Sequence, residues 1–263
     1  MTRHWTQTSL LGLLRARWMH GHQTSAYPDE PVTLPDRFRG RPELDASKCG
    51  DQCRACADAC PTEAIALDPL RVDLGKCLFC PVCTETCPSG ALRYTNEFAL
   101  AARERDALVV KQDEMRLTAA LDAKMQRLFG RSLKLRQVSA GGCNGCEGEL
   151  VALGNVVFDL GRFGIQFVAS PRHADGVVIT GPVTVNMERA LRATIAAVPE
   201  PRIVIAVGAC AISGGPFRGS SAQNDGVPKD IHVDLWVPGC PPHPLTLLDG
   251  LLRMLGQIED RVG

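Results

Sequence analysis

Eight of the twelve cysteines in this chain fall between Cys49 and Cys87, in two copies of one pattern. The segments KCGDQCRACADACPTEAI and KCLFCPVCTETCPSGAL share a lysine, four cysteines, a proline and an Ala-Ile or Ala-Leu pair. Such crowding does not suit a disulfide framework, whose cysteines are distributed over the chain they staple. In the second copy, Cys77-x2-Cys80-x2-Cys83-x3-Cys87-Pro88, three closely spaced thiolates can wrap one iron–sulfur cube while the fourth, before the proline, reaches the neighbouring cube. By that rule Cys60, Cys77, Cys80 and Cys83 form one ligand set, and Cys49, Cys53, Cys56 and Cys87 form another.

The first copy departs from the pattern, with three residues between Cys49 and Cys53 where two are expected. A one-residue bulge keeps the cube on the preferred reading; a strained or lost ligand is the alternative. Structural zinc also uses paired cysteines in sets of four. It explains neither the repeat nor the Cys-Pro endings.

The other four cysteines stand in GGCNGCEGE, GACAISGG and PGCPPHP. Glycine and proline flank each, permitting sharp turns and close backbone approach. Small neighbours also free backbone N–H groups to point at sulfur, one of the levers on cluster potential. Cys143, Cys146, Cys210 and Cys240 thus make a third set, and the chain is expected to hold three [4Fe-4S] clusters. Glu147 and Glu149 either relay protons beside this set or simply begin a helix, whose positive end favours acids. His173, in SPRHADG, either titrates near the cluster or caps a loop, the second reading being preferred.

From Ser132 onward short β-rich runs alternate with helical stretches, which predicts a parallel α/β sheet. Strands are expected at Leu133–Val138, Ile165–Ala169, Gly176–Thr180, Ile203–Val207 and Val233–Val237, and helices at Met187–Val198 and Pro244–Ile258. The cysteine loops follow strands directly, where ligands of such sheets collect. The fold class is therefore an α+β bis-cluster ferredoxin domain followed by an α/β parallel-sheet, flavodoxin-like domain. Four segments are expected: an amphipathic helix and extended docking strap over 1–44, the ferredoxin domain over 45–96, a helical linker over 97–131, and the sheet domain over 132–263. The linker reading rests on Leu117, Leu121, Met125 and Leu128 at helical spacing before Gly130.

Residues 4–20 read as the amphipathic helix, with Trp5, Leu11, Leu14 and Trp18 as anchors. Packing on its own protein is the first expectation; docking at a membrane surface or membrane subunit is the second. The apolar patch is too short for a signal peptide and is interrupted by Arg15 and Arg17, so the chain is expected to start near Met1 in the reducing cytoplasm. Basic and acidic residues balance at 29 each, which leaves no global field to draw nucleic acid.

The segments SAGGCNGCEGEL, SPRHADGVVITGPVT, VGACAISGGPF and PGCPPHP, within about residues 135–245, resemble the cluster-bearing small subunit shared by complex I and the group 4, membrane-bound [NiFe] hydrogenases of formate-hydrogenlyase type. SAYPDEPVTLPDRFRGRPEL and the double cysteine repeat resemble the two-cluster ferredoxin subunit of the same complexes. The chain thus looks like a fusion of two adjacent subunits. The Cys143-x2-Cys146 spacing is similar to the hydrogenase branch, whereas complex I is expected to place two adjacent cysteines there. The resemblance implies that the third cluster is the proximal one, facing a separate [NiFe] large subunit, and that no active site lies in this chain. It further implies an electron-donor module (a formate or carbon monoxide dehydrogenase, or ferredoxin), membrane subunits as partners, and a peripheral place on the cytoplasmic side of the inner membrane. A complex I-like quinone oxidoreductase subunit and a free-standing polyferredoxin are the alternatives.

Overall fold

The computed structural model describes residues 10–50, 53–111 and 118–258. It opens with helix α1 (Leu10–His20), which buries none of its residues. Leu10, Leu11, Leu14 and Trp18 are all exposed, Trp18 by 87%. The expected packing of this helix on its own protein is therefore not what is seen; Trp5 lies outside the described residues.

After α1 the chain runs extended, as a strap across the molecule. Ser25 N donates to Val157 O at 2.8 Å, and the Tyr27 hydroxyl donates to Asp249 Oδ1 at 2.6 Å. Val32 and Leu34 pack on the core beneath the sheet, and Arg39 Nε donates to the Phe79 carbonyl. The strap thus touches the C-terminal half first and the cysteine repeat second.

The repeat region contains β1 (Pro42–Leu44), α2 (Ala55–Asp58), β2 (Ile65–Ala66), β3 (Arg71–Asp73), α3 (Val82–Thr86) and β4 (Leu92–Tyr94). β1 pairs antiparallel with β4. β2 and β3 form a sheet whose third strand, β5 (Val109–Lys111), comes from beyond residue 97. Short strands and one-turn helices suit a segment whose cysteines must converge.

The described part of the segment expected as a helical linker is built otherwise, and Leu117 lies outside the described residues. Ala99 to Ala102 are all buried, and Ala102 exchanges backbone hydrogen bonds with Trp236 at 3.0 and 2.8 Å. Helix α4 (Ala123–Phe129) is the only α-helix among its described residues, capped by Asp122 accepting from Lys124 N and Met125 N. Residues flanked by the repeat on one side and a sheet edge on the other cannot coil without losing both partners, and burial on both sides outweighs helix propensity.

The C-terminal half comprises β6 (Leu133–Ser139), α5 (Gly145–Ala152), β7 (Ile165–Phe167), β8 (Gly176–Thr180), α6 (Val185–Ala197), β9 (Ile203–Val207), α7 (Gly208–Ser213), β10 (Leu235–Val237) and α8 (Pro244–Met254). All five strands run parallel, in the order β10-β9-β8-β6-β7. Counted within this half, that is the flavodoxin-like order 2-1-3-4-5, whose switch point lies between β6 and β8. GVVIT in β8 and IVIAV in β9 are fully buried, as parallel strands covered on both faces must be. In α8, Leu245, Leu247, Leu248, Leu251 and Leu252 are buried against one face of the sheet, each contributing about 1.5–3 kcal/mol.

One core crosses from the repeat to the sheet, joining Val72, Leu74 and Leu108 to Val138, Ile179, Ala206 and Ile212. At this seam a side chain on Gly75 would come within 2.6 Å of Ile212 Cγ2, and Ser213 Oγ donates to Gly75 O at 2.8 Å. The two cysteine-bearing halves are thus fixed against one another.

Candidate metal centres

All twelve cysteines are free thiols. In the repeat, Cys60, Cys77, Cys80 and Cys83 line one small enclosed cavity together with Ile65, Val72, Leu92 and Tyr94. Burial pushes the Cys77 thiol up to about 12, with Cys83 and Cys60 adding to the rise against hydrogen bonds from Tyr94 and Phe79 N. Cys83 is raised for the same first reason, with Cys80 and Cys60 facing it. Sequence neighbours alone would have put Cys87 here, and instead Cys60 from the first copy is present.

The complementary set shows the same crossing. Cys56 is raised by burial first and then by Cys87 and Cys49. Cys49 and Cys53 line a shared surface groove with Leu67 and Leu70. Burial works against the Cys87 thiolate, but hydrogen bonds from Ala91 N, at 3.3 Å, and from Ser89 outweigh it and hold the thiol below its ordinary value. The two copies match in detail, since Cys60 Sγ likewise accepts from Ala64 N at 3.3 Å.

The third set lies at the carboxyl ends of the strands. Cys143 and Cys146 follow β6 at the switch point, Cys210 lies in α7 directly after β9, and Cys240 follows β10. Burial raises Cys146, and Cys210, Cys240 and Cys143 raise it further. Cys210 is pushed up to about 11 by burial, then by Cys240 and Cys143. Glycine is needed where the backbone meets these sulfurs. Gly208, with φ of 88°, would set a Cβ 2.5 Å from Cys146 Sγ, and Gly215, with φ of 54°, one 2.9 Å from Cys210 Sγ.

Each set is four soft sulfur donors that raise one another's thiols, so that thiolates there need a cation between them. That donor chemistry fits iron–sulfur ligation. Among the described residues, no three His, Cys, Asp or Glu side chains converge where one metal ion could be held. A single zinc would draw its four thiolates to about 2.3 Å from one point.

Leu78 and Phe79, between Cys77 and Cys80, line one cleft with Cys240, whose thiol is raised by burial, then by Cys143 and by Cys80. The second and third sets are therefore neighbours across the seam, which spacing alone did not reveal. A cleft between them is lined by Phe79, Cys240, His243 and Glu149, with Arg37 and Arg39 from the strap. Phe38 and Phe158 meet the His243 ring edge-on at 5.4 and 6.1 Å.

The polar residues singled out from sequence divide. Glu147 stands in the first turn of α5, where its Oε1 accepts from Ser139 Oγ at 2.6 Å and Thr180 Oγ1 at 2.7 Å. Burial pushes its carboxyl up, but those two bonds prevail and hold it below the usual range. Glu149 is half-buried and raised by burial. His173 is not brought to the site. It is exposed and precedes β8, so the whole length of that strand separates it from the cysteine loops at the other end. Tyr94 is the residue that sequence reasoning passed over: its hydroxyl lies 3.5 Å from Cys77 Sγ and 3.9 Å from Cys83 Sγ.

Residues 143–254 match the family described as NADH ubiquinone oxidoreductase, 20 Kd subunit, and residues 48–91 match the 4Fe-4S dicluster domain. The chain is 40% identical over 164 residues to formate hydrogenlyase subunit 7 of Escherichia coli, covering 62% of this chain and 64% of that one. It is 40% identical over 140 residues to a probable membrane-bound hydrogenase subunit of Pyrococcus furiosus, covering 53% and 84%. An NADH-quinone oxidoreductase subunit of Heliobacterium modesticaldum is 46% identical over 116 residues, covering 44% and 66%. The chain thus spans just under two thirds of the formate hydrogenlyase subunit's length.

Proposed function

Because the chain belongs to the NADH ubiquinone oxidoreductase 20 Kd subunit family and carries a 4Fe-4S dicluster domain ahead of it, we propose that it is the electron-transfer subunit of a membrane-bound [NiFe] hydrogenase. In this reading it relays single electrons between a donor module and the Ni-Fe site of a separate large subunit. The observation that carries it is the cleft that Leu78 and Phe79, between Cys77 and Cys80, share with Cys240, which sets a ferredoxin-type thiol set beside the thiol set of the sheet domain. When bound, three [4Fe-4S] clusters supply one-electron chemistry.

The residues of the chain do the rest. Cys49, Cys53, Cys56 and Cys87 hold the cluster nearest the open groove, on the donor side. Cys60, Cys77, Cys80 and Cys83 hold the middle one in an apolar cavity that excludes water. Cys143, Cys146, Cys210 and Cys240 hold the last, with Cys143 and Cys240 exposed toward the partner. Val185 and Phe217, both exposed, add apolar surface from the segments beside this set, as a docked large subunit would require.

Peripheral attachment suits the same reading. No helix among the described residues is long and apolar enough to cross a membrane. Instead α1 exposes Leu10, Leu11, Leu13, Leu14, Trp18 and Met19 around its length, and the sequence has no acidic residue before Asp29. We assign that helix to an anionic lipid surface.

Anaerobic iron and sulfide analysis with EPR on the reduced chain tests the proposal. About twelve irons and three cubane signals are expected. A chain that takes up zinc in their place sinks it.

A further inference from the structure

The two copies of the cysteine repeat agree almost position by position around sulfur. Ala64 N and Ala91 N each donate to the thiol of the Cys-Pro cysteine at 3.3 Å. Thr62 Oγ1 and Ser89 Oγ stand 3.9 and 3.8 Å from the same thiols. Seven residues beyond that cysteine the agreement ends, with Leu67 in the first copy and Tyr94 in the second. Leu67 lines the groove of Cys49 and Cys53 with an apolar side chain. Tyr94 lines the cavity of Cys60, Cys77, Cys80 and Cys83, its hydroxyl 3.5 Å from Cys77 Sγ and 3.9 Å from Cys83 Sγ.

We propose that Tyr94 is a tuning donor whose O–H, shared between Cys77 and Cys83, holds the middle cluster at a more positive potential than an apolar residue such as Leu67 in the matching place would give it. The inference rests on the electron-transfer reading above. An added electron increases the negative charge on a cluster and its thiolates, and a hydrogen bond to sulfur is worth more to that reduced form. The bond strengthens with no bond broken and no proton moved. A phenol is protonated at neutral pH, so its O–H is available to donate to thiolate sulfur. Its ring is held by Phe79, centroids 6.2 Å apart, and by the pairing of β4 with β1 opposite Pro42. Phe79 belongs to the Cys77–Cys80 loop, so the donor is anchored to the loop it serves.

The consequence is a bias. With Leu67 in the open groove and Tyr94 in the enclosed cavity, the hydrogen bond favours residence of the electron on the middle centre, the one beside the cleft to Cys240. A symmetric repeat would give it no preference.

The test is an EPR-monitored redox titration of the full, cluster-loaded chain, with Tyr94→Phe against wild type. The expected result is a shift to more negative potential confined to one signal, the one that Cys77→Ala abolishes. An unshifted midpoint with full iron content overturns the proposal, and so does an equal shift of all signals. Tyr94→Leu copies what the first repeat carries and is expected to give the same shift. Loss of the middle cluster from both variants also overturns it, since the hydroxyl would then serve assembly. Failure of the wild-type chain itself to take up iron would count against the functional reading instead.

Discussion

The Tyr27 hydroxyl donates to Asp249 Oδ1 at 2.6 Å, tying the N-terminal strap to helix α8 across 222 positions of sequence. Arg253 Nε meets both oxygens of the same carboxylate at 3.0 Å. Asp249 is 1% exposed, and the Tyr27 ring also packs edge-on against Phe98 at 5.4 Å. Tyr27→Phe keeps the ring and deletes the donor to a buried charge, so the strap should loosen at a cost of about 1.5–3 kcal/mol. Chemical denaturation of the cluster-loaded chain measures it. A loss within error would mean the strap is held by its other contacts, among them Ser25 to Val157 and the packing of Val32 and Leu34.

The crossed ligand scheme makes an unusual demand on mutants. Cys87 follows Cys83 closely in sequence, yet it acts on Cys56. Cys87→Ala should therefore strip the cluster of Cys49, Cys53 and Cys56, lowering iron from about twelve to about eight, while the signal that depends on Cys77 persists. Cys60→Ala should do the reverse. If each variant removed the cluster of its own sequence neighbours, the crossing would be wrong.

Legibility in the sequence followed how local each cause was. β8 and β9 were readable to the residue because GVVIT and IVIAV are unbroken apolar runs buried on both faces. β10 proved shorter than expected, since Asp234 spends its backbone and carboxylate on Val204. The helical linker failed for the opposite reason. Leu121 and Met125 do show helical spacing, but the buried run ahead of them is decided by contacts to Trp236 and Gly250, far along the chain. Cysteine spacing groups the twelve cysteines into three sets of four, whereas the cleft shared by Leu78, Phe79 and Cys240 depends on how two halves meet. Tyr94 was within reach. Aligning the copies past their cysteines would have exposed the Leu67 mismatch.

A pH dependence near neutrality comes from His243. Its Nδ1 accepts from Leu245 N at 3.1 Å as the N-cap of α8, and burial between Phe38 and Phe158 lowers its pKa. A depressed histidine binds fewer protons folded than unfolded, so its contribution is full above about 6.5 and is lost as pH falls through the folded value. Protonation at Nδ1 also removes the cap. Thermal melts across pH 5–8 should show the slope in wild type and a flatter curve in His243→Asn, whose side-chain oxygen can still cap. His243→Ala should cost about 1 kcal/mol at pH 8. Equal slopes in wild type and the Asn variant would remove His243 from the account.

Helix α1 carries the last prediction. Leu10, Leu14 and Trp18 recur every four residues and follow one another along the helix, Leu11 lies beside them, and exposed Leu13 and Met19 carry the apolar surface to its other sides. The 11 described residues of α1 are too few to span a bilayer, but enough to lie along one with leucines and Trp18 inserted and arginines at the headgroups. Full-length chain should co-sediment with vesicles containing phosphatidylglycerol and not with pure phosphatidylcholine, and added salt should release it. Each arginine replaced by glutamine should weaken binding about fivefold. Trp18→Ala should weaken it at every salt concentration, because what it removes is inserted area rather than charge. A helix made for a protein partner would ignore the lipid headgroup, so equal sedimentation with both vesicle types, or with neither, would turn the assignment away from the bilayer.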